Sequence, residues 1–198
     1  MNIFSPTLAI VSQKGPTIML ASGKRFDLLD PSGSDFDIDD VAHGLAHVCR
    51  YAGQCRKFYS VAEHSILVSE TVADFAYEAL LHDAAEAFIG DITRPLKQLL
   101  PDYKAIEADI EEAINERFGL SKAAKPVIKE ADLRVLAAEQ MQVMAPECAD
   151  WAVEAGIAPA DITVRGLLPP HVRETMLAAS MSSSLSKRLE ADPWITIH

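Results

Sequence analysis

A helix built from Ala, Leu and Phe that also carries a histidine and two acids must find partners for its polar groups. The segment Ala79-Leu80-Leu81-His82-Asp83-Ala84-Ala85-Glu86-Ala87-Phe88-Ile89-Gly90-Asp91 reads as such a helix, closed by Gly90. Phe75, Ala79, His82 and Glu86 follow at steps of four, three and four, which places them on one helical face. Polar groups on an apolar face are costly to bury alone. His82 and Asp83 are adjacent and can converge on one cation. Because His-Asp is a weak signal by itself, the reading depends on what the remaining chain supplies.

Two further helices supply more. Ser60-Val61-Ala62-Glu63 has the form of a capping box, and the helix it opens carries Val61, His64, Val68 and Val72 on one stripe. A helix from about Pro126 to Met144 carries Ile128, Ala131, Asp132, Val135 and Leu136, which turns Asp132 inward among aliphatics. A buried histidine alone bonds a backbone carbonyl, and a lone inward Asp caps a neighbouring helix. Together, two imidazoles and two carboxylates are satisfied at once by a divalent ion. The mixed N and O donors suit Zn, Mn, Fe or Co.

The other elements are simpler. Thr17–Leu20 and Phe26–Leu29, around Ser22-Gly23-Lys24-Arg25, predict a β-hairpin within residues 16–30. Asp37 or Asp39 caps a helix running to about Tyr51. Asp91 to Pro95 reads as loop, since Pro95 disfavours helix at Arg94. Helices are expected from about Asp102 to Phe118, stopped by Gly119, and from about His171 to Leu189. The fold class is therefore all-α, a helical core over residues 38–190 in one domain with a small N-terminal hairpin.

Charge and cysteine use narrow the function classes. The 198-residue chain has a net charge of -11, the wrong sign for gripping a nucleic-acid polymer over a broad surface. A small anionic substrate is still admitted, because a metal or an Arg cluster overrides the global field locally. The odd count of three cysteines lacks metal-finger spacing, which fits reduced thiols and a cytoplasmic setting. No apolar run approaches membrane-spanning length, and the N-terminus lacks the basic start and cleavage site of a signal peptide.

The order His64, His82-Asp83, Asp132 resembles the H…HD…D signature of HD-domain metal-dependent phosphohydrolases. Ser-Val-Ala-Glu-His-Ser at 60–65, Leu-Leu-His-Asp-Ala-Ala-Glu at 80–86, Gly-Asp at 90–91 and Ala-Asp at 131–132 extend it. They are similar to the 5′-deoxynucleotidase branch and to phage-encoded deoxynucleotide triphosphohydrolases. The resemblance covers roughly Val41 to Gln140 and implies an HD-domain helical bundle. It implies that His64, His82, Asp83 and Asp132 hold one divalent metal (Zn, Co or Mn), with Mg at a second, substrate-linked site. It assigns Glu86 as the catalytic acid/base and Asp91 as a second active-site carboxylate. Arg50-Tyr51 stands fourteen and thirteen residues before His64, a one-residue shift from the family's Arg-aromatic clamp on phosphate and sugar or base, with Arg50 the fork for phosphate and Tyr51 a stacking face. Lys97 resembles a phosphate-facing lysine, Pro95 would line the base, and Arg94 flanks it. His43, His47 and His171 match no ligand position.

The implied function is hydrolysis of deoxynucleotide phosphates by a homo-oligomer, with a 5′-deoxynucleotidase favoured. The alternatives are a triphosphohydrolase with a dATP-like substrate, a non-catalytic nucleotide-binding HD module, and a structural metal site in a helical binding protein. Gly53 stands near a position that helps base choice in the phage enzymes, where a bulky residue is expected.

Overall fold

The computed structural model of the chain describes residues 16–191. The expectation about a signal peptide falls on residues 1–15, outside the described residues. A two-stranded antiparallel sheet comes first, β1 (Thr17–Met19) and β2 (Arg25–Asp27), with Ile18 opposite Phe26. Helices follow: α1 (Ile38–His47), α2 (Val61–Glu70), α3 (Ala76–Leu80), α4 (Glu86–Ile89), α5 (Arg94–Lys97), α6 (Pro101–Phe118), α7 (Lys125–Val143), α8 (Asp150–Glu154) and α9 (Pro169–Ala191). The fold is all-α with a small N-terminal β-hairpin. None of the described helices is long and apolar enough to cross a membrane.

Helix α2 is the centre. Val61 through Ser69 are all buried, as a helix enclosed on every side must be. It packs against α1, α3, α7 and α9. On one side lies a core of Leu45, Val61, Ile66, Leu80 and Met176, with Phe26, Phe36 and Phe88 from the hairpin side. The Phe26 and Phe88 rings stack at 3.9 Å, and Phe36 meets Phe88 edge-on at 5.2 Å. On its other side Leu67 and Val68 meet Val135, Tyr59 and Val164.

Several boundaries differ from the sequence expectation, each for a physical reason. Asp37 caps α1, its carboxylate accepting from the Asp39 and Asp40 amides while Asp40 reaches back, but α1 stops at His47 rather than near Tyr51. Val48 turns extended and Cys49 forms a β-bridge with Ser60, which pulls the chain out of the helix. Arg50–Gly53 then makes a short 3₁₀ turn in which Tyr51 (φ 55°) and Ala52 (φ 51°) are left-handed. The capping box at Ser60 is half formed. Ser60 accepts from the Glu63 amide at 3.2 Å, but the Glu63 carboxylate takes the amides of Arg165, Gly166 and Leu167 at 2.6, 3.0 and 2.8 Å. The region from 91 to 95 is not all loop, because α5 begins at Arg94; Pro95 in a first turn forfeits no hydrogen bond.

Gly44 permits the approach of α1 to α4. A Cβ there would lie 2.7 Å from the Ala87 carbonyl oxygen and 2.8 Å from the Ala87 Cβ. Backbone atoms cannot swing aside, so Gly44→Ala is expected to cost about 1–3 kcal/mol in chemical denaturation, despite alanine's better helix propensity. An unchanged midpoint would show that α1 and α4 slide freely.

Candidate metal centre

The expected continuous helix through His82 and Glu86 is interrupted at the site. Between α3 and α4 the chain winds as tight turns, with Ala84 bonding Leu81, Glu86 bonding Asp83 and Phe88 bonding Ala85, all one residue shorter than α-helical. The His82 ring sits at the break. Its Nδ1 lies 2.7 Å from the Ala79 carbonyl, the oxygen that residue 83 would use in an unbroken helix. That bond makes Nδ1 the donor and turns Nε2 away with its lone pair.

His64, wholly buried on α2, is held in the same way by a different partner. Its Nδ1 meets Glu139 Oε2 at 2.8 Å. The Nε2 atoms of His64 and His82 are both buried and have no hydrogen-bond partner. Asp83 Oδ2 lies 3.6 Å from the first and 3.2 Å from the second. One ligand atom each from His64, His82 and Asp83 lies within 4.8 Å of the others, so this group could hold a metal ion. Asp132, the fourth expected ligand, adjoins the trio. One of its oxygens is 3.3 Å from His64 Nε2 and the other is 2.7 Å from Lys129 Nζ.

The charges conform to this arrangement. Burial opposes ionisation of Asp83, but His82, His64 and Arg50 hold its carboxyl well below the usual range. Asp132 is likewise held low against burial, mainly by His64. For His64, burial and Arg50 favour the neutral ring, yet Glu139 and Asp132 outweigh them and raise it to about 9. A cation binding at His64 Nε2 therefore displaces a proton.

Glu86 is buried, and its Oε2 has no hydrogen-bond partner. Burial, reinforced by the charges of Asp83 and Asp91, pushes its carboxyl pKa up. Asp91 is also raised, by burial first, with the charge of Asp83 adding to it.

The substrate-facing expectations fare unevenly. Arg50 is buried, and its Nε and Nη2 both donate to Glu139 Oε1, at 3.2 and 2.9 Å. Only Nη1 faces the trio, 3.7 Å from Asp83 Oδ2. Tyr51 donates its hydroxyl to the same Glu139 oxygen at 2.5 Å. Lys97 is tied to Glu107 at 2.6 Å, close enough to the site for its charge to act on Glu86. Arg94 and Pro95 stand exposed on α5.

No family model matches the chain. It is similar to the uncharacterized protein YfdR of Escherichia coli strain K12, 42% identical over 152 residues that span 76% of this chain and 85% of that one. The chain belongs to the YfdR family. An uncharacterized protein of Rhodobacter capsulatus is also similar, 38% identical over 181 residues that span 80% of this chain and 91% of its own.

Sequence reasoning missed the residue at the centre of this YfdR-family site. Glu139, wholly buried on α7, accepts from Arg50, Tyr51, Tyr59 and the His64 ring, the Tyr59 hydroxyl at 2.5 Å. Although burial opposes it, Arg50 and His64 hold its carboxyl down to about 2. A signal was present: Glu139 lies seven residues, two turns, beyond Asp132 on the same stripe as Val135 and Val143.

Proposed function

We propose that this chain is an HD-domain metal-dependent phosphohydrolase acting on deoxynucleotide phosphates, in the first instance as a 5′-deoxynucleotidase. One observation carries the reading: two imidazole Nε2 atoms without hydrogen-bond partners and the Asp83 carboxylate converge near a buried acid, Glu86, whose Oε2 also lacks a partner. A structural metal site accounts for the first three groups and leaves Glu86 unexplained.

His64, His82 and Asp83 would hold the divalent ion, with Asp132 able to join by exchanging Lys129 for it. Bound there, the ion would supply Lewis-acid polarisation of a phosphoryl oxygen and a more acidic water. The chain's own residues account for the rest. The His82–Ala79 and His64–Glu139 bonds keep both Nε2 atoms aimed inward. Arg50 Nη1 offers a donor toward phosphate, with its other two nitrogens fixed by Glu139. Glu86, kept protonated more readily than an exposed acid, can give a proton to the departing 5′ oxygen. Asp91, whose charge acts on Glu86, would be a second carboxylate of the site.

The test is loading with Mn, Co, Zn and Mg, followed by a screen of deoxynucleoside mono- and triphosphates that identifies the products. Phosphate release from monophosphates is expected; triphosphate release would assign the triphosphohydrolase branch. Wild-type protein is expected to carry metal near one equivalent per chain by elemental analysis. Losing an outer partner of a ligand costs about 10–100-fold in metal affinity, so losing a ligand in Asp83→Ala should cost at least that. A variant that keeps its metal would place the ion elsewhere.

A further inference from the structure

The trio is reached from a cleft of about 430 Å³ between α6 and α7, within the roughly 300–1,000 Å³ range of small-molecule sites. His82, Asp83 and Asp132 form its inner end, and Leu81, Ile114, Leu120 and Ile128 line its walls. Lys122 and Lys125 stand at the rim, and the half-buried carboxyl of Glu111 lines the cleft from α6. Arg50 and Tyr51 do not border it. Resting on the phosphohydrolase reading, we infer that this cleft takes the nucleoside part of the substrate, the base lying between the aliphatic walls with Glu111 reading its polar edge.

Three features support that assignment. A phosphate held by the trio can direct its sugar into this cleft, which is lined by His82, Asp83 and Asp132. Aliphatic walls suit the two faces of a flat heterocycle, whose burial contributes affinity without naming the base. Discrimination then falls to a polar group at the ring edge, and a carboxyl can accept from an amino group or, protonated, donate to a ring nitrogen. Burial, ahead of the charge of Glu107, raises Glu111, which favours the form that can do both. Tyr51, the other candidate stacking ring, does not line the cleft, and the Arg50 guanidinium already lies 5.4 Å from its ring centroid.

The experiment compares wild type with Glu111→Leu and Leu120→Trp on three probes: a panel of deoxynucleotides, deoxyribose 5-phosphate, and phosphate-free deoxynucleosides in equilibrium binding. Losing one hydrogen bond should lower affinity for the preferred base about tenfold in Glu111→Leu and flatten the base ranking. Leu120→Trp, which fills the cleft, should weaken all bases. Neither variant should alter kcat/KM for deoxyribose 5-phosphate, which has no base to place. Leu120 packs partly against the core, so Glu111→Leu carries the test if Leu120→Trp fails to fold. Deoxynucleoside binding that falls in the variants supports the cleft even if no ester is hydrolysed, and that result would overturn only the phosphohydrolase reading. Hydrolysis with an unchanged base ranking in Glu111→Leu would overturn the cleft assignment and leave the phosphohydrolase reading standing. Neither hydrolysis nor nucleoside binding would overturn both.

Discussion

Glu86→Gln is expected to lower kcat by at least about a hundredfold while the chain keeps its metal. The substitution preserves the shape and hydrogen-bonding reach of a side chain whose Oε2 is buried without a partner. What it removes is the titratable proton. General acid–base groups contribute roughly a hundred- to ten-thousand-fold in rate, and the loss falls on the transition state rather than on ground-state binding. KM and metal content should therefore change little. Burial and the neighbouring charges of Asp83 and Asp91 raise Glu86, which suits it to deliver a proton near neutral pH. Steady-state kinetics paired with elemental analysis reads both quantities. A kcat within tenfold of wild type would remove Glu86 from the chemistry and leave Asp91 as the better candidate. Metal loss in the variant would make Glu86 a ligand instead.

The second large effect is structural. Glu139→Ala should destabilise the fold by about 3–5 kcal/mol, because it strips the partner from a buried guanidinium. Arg50 would keep only the distant Asp83 at 3.7 Å, while Tyr51, Tyr59 and His64 Nδ1 would lose their acceptor together. Set against a typical domain stability of about 5–15 kcal/mol, that is enough to bring the protein near unfolding at ordinary temperature. Glu139→Gln keeps the volume and one acceptor oxygen, so it should lose less stability and still weaken metal binding about 10–100-fold through His64. Urea unfolding and metal titration separate the two consequences. If Glu139→Ala unfolded within about 1 kcal/mol of wild type, the cluster would be contributing little net energy.

Much of the helical architecture was legible locally. Asp37 at the start of α1, Gly119 in the left-handed position after α6 and Pro126 in the first turn of α7 act within a few residues of themselves. The apolar stripes of α2 and α7 are also local, and they brought out His64 and Asp132 because polar residues on such stripes stand out from their neighbours. His82-Asp83 was visible for the same reason. In each case the deciding interaction, or the deciding contrast, lies within one or two helical turns.

What the sequence could not rank was competition between local and distant partners. Glu63 has the spacing to close a capping box three residues from Ser60, yet it binds backbone amides more than a hundred residues away. Three amide donors on one carboxylate outweigh one, and only the folded chain brings them there. The helix through His82 breaks where the histidine ring takes the Ala79 carbonyl. Arg50 and Tyr51 leave α1 because a β-bridge and Glu139 hold them elsewhere. Periodicity determines that a side chain such as Glu139 faces inward, since that follows from the helix alone. Its partner His64, 75 residues earlier, is chosen by packing, because a buried charge is stable only where all its donors arrive together.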